Sequence, residues 1–200
     1  MSERIRIIVP HRGLAVAKTR LAPVLDPGER LTLARELLEH VLRASRRAVD
    51  DVVVITPSEA LVSVVESIGA RLVVQRGMGL NTGLEQARSA ALAEGIELLG
   101  VLHGDLPNLA VADVAALLDA VPASGGVAIA PDRTGQGTNG LGLRPADAMP
   151  FAFGLASFAA HRAAAEAAGH DPVVVERAGL AFDLDTPADL ARWLELGDAA

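Results

Sequence analysis

Cysteine is absent from this sequence of 200 residues, and aromatic residues make up only 2% of it, with no tyrosine at all. Without cysteine the chain can form no disulfide bond, no thiolate metal site and no cysteine nucleophile. The Gly-x-Ser-x-Gly motif is also missing, which favours direct group transfer without a covalent enzyme intermediate. With so few aromatic rings, a bound purine base would be held by backbone groups and aliphatic side chains more than by stacking.

An excess of positive charge and long apolar runs are missing as well. The formal net charge is −7, which argues against nucleic acid as a main partner, because binding to a phosphate backbone needs a basic face. No apolar run approaches the roughly 18 residues of a membrane helix. The first residues, Met-Ser-Glu-Arg, lack the apolar stretch of a signal peptide. We therefore expect a cytoplasmic protein with neither a nucleic-acid nor a membrane partner.

Hydrophobic residues, in contrast, make up half of the chain, and charged residues only 22%. This composition predicts a packed core, and the length fits one domain over residues 1–200. Short β-branched runs alternate with helical stretches, a pattern typical of a mostly parallel sheet with helices on both faces. Two strands around a Gly-rich loop near residue 135 predict an antiparallel insertion. The predicted fold is therefore a single-domain, Rossmann-like, three-layer α/β fold.

The predicted elements follow from the apolar pattern and from capping residues. One helix begins at Asp26-Pro27, with Asp as the cap and Pro in the first turn, and another ends at Gly69. The remaining predicted helices are 81–94, 111–120, 157–168 and a last one after Pro187. The predicted strands are 5–9, 52–55, 72–74, 98–103, 127–130, 139–143 and 173–176. Of these, 98–103 is expected to be the central, fully buried strand.

A cationic loop directly follows the first predicted strand. This loop, residues 10–21, carries Arg12, Lys18 and Arg20 within nine positions, and Leu14, Ala17 and Leu21 are left to anchor it. Because the chain is acidic as a whole, these cations are a local feature. A cationic loop at the carboxyl end of a strand is a site for a polyanion, most simply a nucleoside triphosphate. The alternative for Lys18 and Arg20 is that they are solvated charges at the start of a helix.

Three aspartates form a second group of candidates. Asp105 follows the central strand in Gly-Asp-Leu-Pro, at the edge where open α/β sheets bind ligands. Asp183 and Asp185 are spaced by two, which points both carboxylates the same way on an extended segment. Carboxylates suit a hard divalent cation such as Mg²⁺. The alternatives are that Asp105 only caps a turn and that Asp185 only caps the last helix.

Hydroxyl groups form a third group. The Gly-rich loop 135–140 is not a P-loop, because Gly-Lys-Ser/Thr is missing, but it can offer backbone N–H groups and the Thr138 hydroxyl to an anion. Ser157 precedes an alanine-rich helix, which it could cap or whose amino end it could share with a bound phosphate. His103 and His161 are expected to be packed or solvent-bound and not catalytic.

With these residues in view, the sequence resembles the 2-phospho-L-lactate guanylyltransferase family of coenzyme F-420 biosynthesis, within the MobA-like and sugar-phosphate nucleotidyltransferases. The family's opening motif is Pro-x-Lys-x-Leu-x-x-Ala-Lys-Ser/Thr-Arg-Leu, and residues 10–21 match it except that Arg12 replaces the first lysine. Gly-Asp-Leu-Pro, Gly-Thr-Asn-x-Leu, Phe-Gly-x-x-Ser-Phe and Asp-x-Asp-Thr-Pro follow in the family's order. Two departures are His11 beside Arg12, and Thr82 where alanine is usual.

The resemblance implies a role for each group of candidates. The catalytic residues would be Lys18, Arg20 and Asp105, with the first two on the phosphates of GTP. The metal ligands would be Asp105, Asp183 and Asp185, with Mg²⁺ as the cofactor. The nucleotide-binding residues would be Arg12, Lys18, Gly79, Leu80 and Asn81, the last three beside the guanine or ribose. The residues that bind a small phosphorylated carboxylic acid would be Thr138, Gly154 and Ser157.

Several alternatives stay open. The acceptor can be 2-phospho-L-lactate, phosphoenolpyruvate or 3-phospho-D-glycerate, which differ by groups worth about 1–3 kcal/mol when apolar. A composition typical of a GC-rich bacterial genome favours phosphoenolpyruvate. The rival functions are a molybdopterin or sugar-phosphate nucleotidyltransferase, and a nucleotide-binding module without activity. The opening loop, which lacks Gly-Gly-x-Ser-Arg-Met-Gly, speaks against the first, and the three aspartates speak against the second. A homodimer is one assembly that the sequence allows.

Overall fold

The computed structural model describes residues 3–14 and 18–198. Within this part of the chain, seven strands form one sheet in the order β3-β2-β1-β4-β6-β5-β7. The strands are β1 (Ile5–Pro10), β2 (Val52–Thr56), β3 (Arg71–Val74), β4 (Leu98–Leu102), β5 (Gly126–Pro131), β6 (Thr138–Arg144) and β7 (Val173–Val174). Strand β6 runs antiparallel to both of its neighbours, and the other pairs are parallel. The predicted sheet with an antiparallel insertion is confirmed.

Helices cover both faces of this sheet. They are α1 (Pro27–Ala48), α2 (Val62–Ser67), α3 (Leu80–Ala93), α4 (Val111–Asp119), α5 (Ser157–Ala167), α6 (Ala178–Ala181) and α7 (Pro187–Asp198). One core layer joins α1, α2 and α4 to the sheet, and a second joins α3 and α5 to its other face. The three-layer prediction is therefore confirmed. No helix in the described ranges combines the length and the apolarity that crossing a bilayer requires.

Helix α1 begins where its sequence predicts. The Asp26 carboxylate accepts a hydrogen bond from the Glu29 N–H (2.9 Å), and the Glu29 carboxylate accepts one from the Asp26 N–H (2.7 Å). This reciprocal capping box, with Pro27 in the first turn, satisfies backbone donors that the helix itself leaves free. The apolar stripe that follows is buried against the sheet, which fixes α1 behind the cationic loop.

The structure differs from the sequence prediction near the carboxyl end. The strand predicted over 173–176 is only two residues long, because it lies at the sheet edge with Val173 and Val174 39% and 40% exposed. Helix α6 is one turn long, and the turn Thr19–Leu21 is a 3-10 helix. Neither is indicated by apolar periodicity, since elements this short contain less than two turns of pattern.

Candidate active site

Lys18 lies between two carboxylates at the carboxyl edge of the sheet. Its Nζ is 2.8 Å from Asp105 Oδ2 and 2.8 Å from Asp185 Oδ1. The three residues belong to the loop after β1, the turn after β4 and the segment before α7. Because β1 and β4 are neighbouring parallel strands, their carboxyl ends meet at one edge. The structure therefore brings together a cation and carboxylates that are far apart in the sequence.

The charge on Lys18 is held by its partners. Its side chain is only 6% exposed, and burial by itself lowers the pKa of an amine. The negative charges of Asp105 and Asp185 outweigh that effect and raise the pKa of Lys18 above its usual value. Arg20 is different, since its side chain is 76% exposed and its guanidinium lies 3.9 Å from Asp185 Oδ2. That contact contributes little stability, so the Arg20 guanidinium is available to a ligand.

A small apolar cluster holds the end of the cationic loop beside the last aspartates. Its buried members are Leu21, Leu33, Leu37, Phe182 and Leu184. Leu21 and Leu184 are fully buried, and they lie next to Arg20 and to Asp185 in the chain. Packing of these two leucines therefore fixes the distance between the charged residues. Of the other predicted anchors, Leu14 packs half-buried on the larger core, and Ala17 lies outside the described residues.

Asp105, Asp183 and Asp185 are called the carboxylate cluster below. Burial would raise the pKa of Asp105, but the charges of Lys18, His103 and His11 hold it below its usual value. The pKa of Asp183 is raised, first by burial and then by the negative charge of Asp105. The Asp183 carboxylate accepts one hydrogen bond from the Asn139 amide, at 3.3 Å. Asp183 therefore lacks a positive partner among the described residues, although Asp105 repels it.

The carboxylate cluster fits a cation on two observations. Asp105 Oδ1 is buried and has no hydrogen-bond partner in the part of the chain that the structure describes. A buried carboxylate oxygen without a partner is costly, and a divalent cation would satisfy it while relieving the repulsion at Asp183. Within residues 3–14 and 18–198, however, no three acidic or histidine side chains are arranged as a metal site. The ammonium of Lys18 lies between Asp105 and Asp185 instead.

An open cavity of about 280 Å³ lies in front of Lys18. Arg12, Arg20 and Leu80 line it together with Asp105 and Asp185. Leu80 is the first residue of α3, and Gly79 before it has a φ of +94°, a conformation that favours glycine. The cavity is therefore bordered by the exposed guanidinium groups on one side and by the amino end of α3 on another.

Two imidazole rings, those of His11 and His103, also line this cavity. The low content of aromatic residues does not predict flat rings at this site. His11 Nδ1 accepts a hydrogen bond from the Gly13 N–H at 2.9 Å, and burial lowers the pKa of His11 to about 4. The His103 ring packs 5.4 Å from the Phe153 ring, and its Nε2 is buried without a partner in the described ranges. His103 is thus packed, as the sequence predicts, but it also faces the cavity. Its position directly after β4 was the available signal.

A β-bulge at the start of β6 changes the faces of the sheet on which Thr138 and Asn139 lie. Ala130 pairs with Gly140 but Pro131 pairs with Thr138, so Asn139 is the extra residue. Because of this bulge, Asn139 faces the same core layer as Gly140 and donates to the Leu180 carbonyl at 2.9 Å. Thr138 faces the opposite layer and α5. A one-residue shift reverses the faces of a strand, so the bulge decides which ligands Thr138 and Asn139 can reach.

Thr138, Ser157 and His161 form a buried group that we call the hydroxyl cluster. Ser157 Oγ accepts a hydrogen bond from the Thr138 N–H at 2.9 Å, and Thr138 Oγ1 is 2.9 Å from His161 Nδ1. His161 Nε2 accepts from the Ala152 N–H at 3.0 Å. His161 is predicted from the sequence to be packed or solvent-bound, and in the structure it is fully buried. Its spacing of four from Ser157, which places both on one face of α5, is the signal that could have joined them.

Ser157 does not cap α5. The capping position is Ala156, with a φ of +52° and no side-chain hydrogen bond, and Ser157 is the first helical residue. Of the two alternatives left open by the sequence, the plain cap is therefore wrong. Gly154 just before it has a φ of +144°, which L side chains rarely adopt. An unusual backbone turn therefore precedes α5, and the Ser157 hydroxyl lies at the amino end of this helix.

The Gly-rich loop binds its own carboxylate. Asp132 Oδ1 accepts hydrogen bonds from the N–H groups of Thr134 (3.1 Å) and Gln136 (2.9 Å). The N–H of Gly137 also contributes to lowering the pKa of Asp132. These backbone donors are therefore occupied, and only the Thr138 hydroxyl remains from the donors that the sequence assigns to this loop.

Asn81 has partners that the sequence does not indicate. Its Nδ2 donates to the Phe153 carbonyl and its Oδ1 accepts from the Phe153 N–H, both at 3.0 Å. The side chain thereby joins the start of α3 to the segment that carries Gly154. A contact between Asn81 and a nucleotide stays a prediction, and it would have to use the second N–H or the second lone pair of the amide, because one of each is bound to Phe153.

Comparison with known proteins identifies the family and the fold of this chain. The family described as "Guanylyl transferase CofC like" matches residues 5–199. The phosphoenolpyruvate guanylyltransferase of Sphaerobacter thermophilus is 44% identical over 92% of this chain and 89% of its own length. The 2-phospho-L-lactate guanylyltransferase of Methanothermobacter thermautotrophicus is 36% identical over 96% of this chain and 84% of its own length.

Solved structures support the fold. A nucleotidyl transferase from Methanothermobacter thermautotrophicus superposes with a TM-score of 0.72, covering 98% of each chain at 19% identity. This likeness concerns the fold alone. The family match and the relatives are stronger evidence for the family, because they extend over nearly the whole sequence. On their strength, this chain belongs to the CofC-like guanylyl transferase family.

Proposed function

We propose that this protein transfers GMP from GTP to a small phosphorylated carboxylic acid and releases pyrophosphate, as a step of coenzyme F-420 biosynthesis. The observation that carries the proposal is the position of Lys18 between Asp105 and Asp185, 2.8 Å from each. Nucleotidyl transfer needs cations for the phosphates and carboxylates for a metal in one place. Both kinds of group meet at this sheet edge.

The nucleotide lies in the cavity in front of the cationic loop. Arg12 and Arg20 line this cavity and offer exposed guanidinium groups to the triphosphate. Leu80 provides the apolar surface there, and the φ of +94° at Gly79 lets the backbone approach the guanosine closely. The imidazole rings of His11 and His103 add flat surface to a chain that has few aromatic side chains.

Asp105, Asp183 and Asp185 would hold Mg²⁺. When bound, the ion neutralises charge on the α-phosphate of the nucleotide. In the free protein, Lys18 balances Asp105 and Asp185. Lys18 also lines the cavity, where its ammonium would stabilise negative charge on the departing pyrophosphate.

The acceptor binds at the hydroxyl cluster. Thr138 and Ser157 present two hydroxyl groups beside the amino end of α5, where the helix dipole favours an anion. Gly154 allows the backbone to approach without a side chain in the way. The cluster is linked to the carboxylates through the backbone of β6, because Asn139, next to Thr138, donates a hydrogen bond to Asp183.

In the reaction, an oxygen of the acceptor's phosphate attacks the α-phosphorus of GTP in line. A new P–O bond forms, the bond from the α-phosphorus to the pyrophosphate oxygen breaks, and the product is a guanylyl diphosphate ester. No protein base is needed, since a phosphate is already ionised at neutral pH. The chain's own residues therefore act by positioning the two substrates and by balancing charge.

Phosphoenolpyruvate is the first acceptor to test. The relative that is 44% identical is named as a phosphoenolpyruvate guanylyltransferase, and the relative that is 36% identical is named as a 2-phospho-L-lactate guanylyltransferase. Both molecules pair a phosphate with a carboxylate, so the same donors serve either. The third acceptor, 3-phospho-D-glycerate, keeps this pairing and adds a hydroxyl group.

The test is mass spectrometry of the products formed from GTP and Mg²⁺ with each of the three acceptors. We expect a guanylylated acceptor and equimolar pyrophosphate with at least one of them. A parallel panel of ATP, CTP and UTP with sugar phosphates addresses the rival nucleotidyltransferases. Pyrophosphate release only in that panel would replace the proposed substrate, and GTP binding without release in either panel would indicate a protein without transferase activity.

A further inference from the structure

The hydrogen atoms of the hydroxyl cluster can be assigned from its heavy-atom contacts. The Ala152 backbone N–H can only donate, and it points at His161 Nε2 from 3.0 Å. Nε2 must therefore carry a lone pair. A neutral imidazole has one N–H, so the hydrogen is on Nδ1. His161 is neutral near pH 7, because burial, with the charge of His103 adding to it, lowers its pKa to about 4.

The tautomer of His161 fixes the direction of the Thr138 hydroxyl. His161 Nδ1–H donates to Thr138 Oγ1 across 2.9 Å, so Thr138 cannot donate back along the same contact. Ser157 Oγ accepts from the Thr138 N–H and likewise keeps its own hydrogen free. Across residues 3–14 and 18–198, neither hydroxyl hydrogen has an acceptor. Thr138, Ser157 and His161 are each at most 3% exposed.

Two backbone donors lie beside these hydroxyls. The Phe158 N–H is taken by the Gln136 carbonyl at 3.1 Å. The N–H groups of Ser157 and Ala159, in the same first turn of α5, donate to no acceptor among the described residues. Within the part of the chain that the structure describes, two hydroxyl hydrogens and two amide hydrogens thus have no acceptor. Such a set fits anionic oxygens and rejects a ligand that brings its own donors.

We propose that His161 is a positioning residue, which orients the Thr138 hydroxyl as a donor to the anionic oxygens of the acceptor. This inference rests on the proposed function, since it concerns the acceptor side of the same site. His161 does not touch the acceptor itself. It acts through the Nδ1–H to Oγ1 hydrogen bond, and the Ala152 N–H acts on His161 in turn by selecting the tautomer.

A purely structural role for His161 is the competing explanation. In that case the ring would only hold Ala152 and the turn before α5. The two explanations differ in what asparagine can replace, because the Asn side-chain NH₂ reaches about where Nδ1 lies in histidine and can still donate to Thr138. They also differ in coupling, since a role through the hydroxyl disappears when the hydroxyl is removed.

The experiment measures KM for GTP and for the acceptor in His161→Ala, His161→Asn, Thr138→Val and the double variant Thr138→Val/His161→Ala. We expect His161→Ala to raise the acceptor KM about tenfold, the order of one hydrogen bond to a charged group, with KM for GTP unchanged. His161→Asn should restore most of the loss. In the Thr138→Val background, His161→Ala should add nothing. His40→Ala, an exposed histidine on α1, is the matched control.

Additive losses in the double variant, or equal losses in His161→Asn and His161→Ala, would overturn the role through Thr138. Two-dimensional ¹⁵N NMR of the imidazole gives a readout that does not need turnover. We expect a protonated Nδ1 and a bare Nε2 in wild type, and the opposite tautomer would refute the inference even if the enzyme is active. If wild type shows the expected tautomer but guanylylates none of the three acceptors, it is the proposed function that fails.

Discussion

Lys18 is the single lysine of the sequence, and its side chain neutralises two carboxylates of the carboxylate cluster. That arrangement explains why a buried amine can remain charged before any substrate is present. It also explains how one residue can serve both the free protein and the phosphates of a bound nucleotide. The exposed arginines of the loop have no comparable constraint.

Replacing Lys18 by methionine should lower kcat by about 10²–10³-fold, as loss of a preorganised charge does in other enzymes. The fold should persist, although Asp105 and Asp185 lose their counter-charge. Steady-state pyrophosphate release measures the effect. Because no other lysine is present, acetylation with an amine reagent, read by mass spectrometry, reports on Lys18 apart from the α-amino group. GTP with Mg²⁺ should change that labelling, and unchanged labelling at saturating GTP would contradict a contact with the phosphates.

His161 makes stability depend on pH in a defined direction. Its pKa is about 4 in the folded state against 6.5 in an unfolded chain, so the unfolded state binds the proton first as pH falls. The contribution is therefore complete above pH 6.5 and declines toward pH 4, by up to about 3 kcal/mol. Urea unfolding of wild type and His161→Asn at several pH values tests this. The stability difference between them should shrink as pH falls through this window, and a constant difference would contradict it.

At the scale of elements, the loops around the site are linked by contacts between distant segments. Asn81 at the start of α3 holds the Phe153 backbone at both its N–H and its carbonyl. The bulge in β6 sends Thr138 toward α5 and Asn139 toward Asp183. The Asn81–Phe153 hydrogen bonds and the β6 bulge therefore connect the segments that border the proposed nucleotide site with those that border the proposed acceptor site.

Asn81→Ala should speed hydrogen exchange at the Phe153 amide and raise the KM for the acceptor, because the turn before α5 loses its anchor. Thr82→Ala, an exposed change on the same helical turn, should leave both unchanged. If Asn81 instead binds the nucleotide, as the family resemblance implies, its replacement would raise only the KM for GTP. Exchange mass spectrometry combined with kinetics separates these outcomes.

Much of this framework follows from the sequence. Strands β1 to β4 are β-branched runs bounded by turn residues, and Asp26 and Pro27 mark the start of α1, so local pattern suffices for them. The meeting of Lys18 with Asp105 follows from a general rule, since parallel neighbouring strands share a ligand-binding edge. The bulge at Asn139 and the bonds of His161 cannot be found in this way. They depend on register and on contacts between segments that have no common local pattern.

At the scale of the whole molecule, two groups of charges lie at opposite edges of the sheet. Arg6, near the amino end of β1, is 2% exposed and pairs with Asp51 at 2.7 Å and with Glu94. Arg71 adds a second contact to Asp51, at 2.9 Å. Arg6 and Arg71 hold the pKa of Asp51 low, although burial would raise it. In this group each carboxylate has a guanidinium partner, whereas Asp105 Oδ1 in the carboxylate cluster has no partner among the described residues.

Arg6→Met should therefore lower the free energy of unfolding by about 1–3 kcal/mol, the order of lost hydrogen bonds to charged groups, since Asp51 and Glu94 are partly exposed and Asp51 keeps its contact with Arg71. KM for GTP and for the acceptor should not change, since the two charge groups are separated by the length of β1. Urea unfolding and steady-state kinetics on one preparation check both statements. A change in KM without loss of stability would contradict this division between the two edges.

The one-domain organisation, the metal and the oligomeric state remain predictions at this scale, and each has a direct measurement. Sedimentation of the purified protein reports the assembly. Isothermal titration with Mg²⁺, with and without GTP, reports whether the carboxylate cluster takes up the ion alone or together with the nucleotide.

The most direct measurement of the central claim is the rate of pyrophosphate release by Asp105→Asn at saturating Mg²⁺, GTP and acceptor. Asp119→Asn, an exposed acid at the end of α4, is the control with the same change of charge. We expect Asp105→Asn to abolish turnover while its thermal unfolding shows an intact fold, and we expect the control to match wild type. A folded Asp105→Asn protein that turns over at the wild-type rate would contradict the claim that this carboxylate lies at the reacting centre.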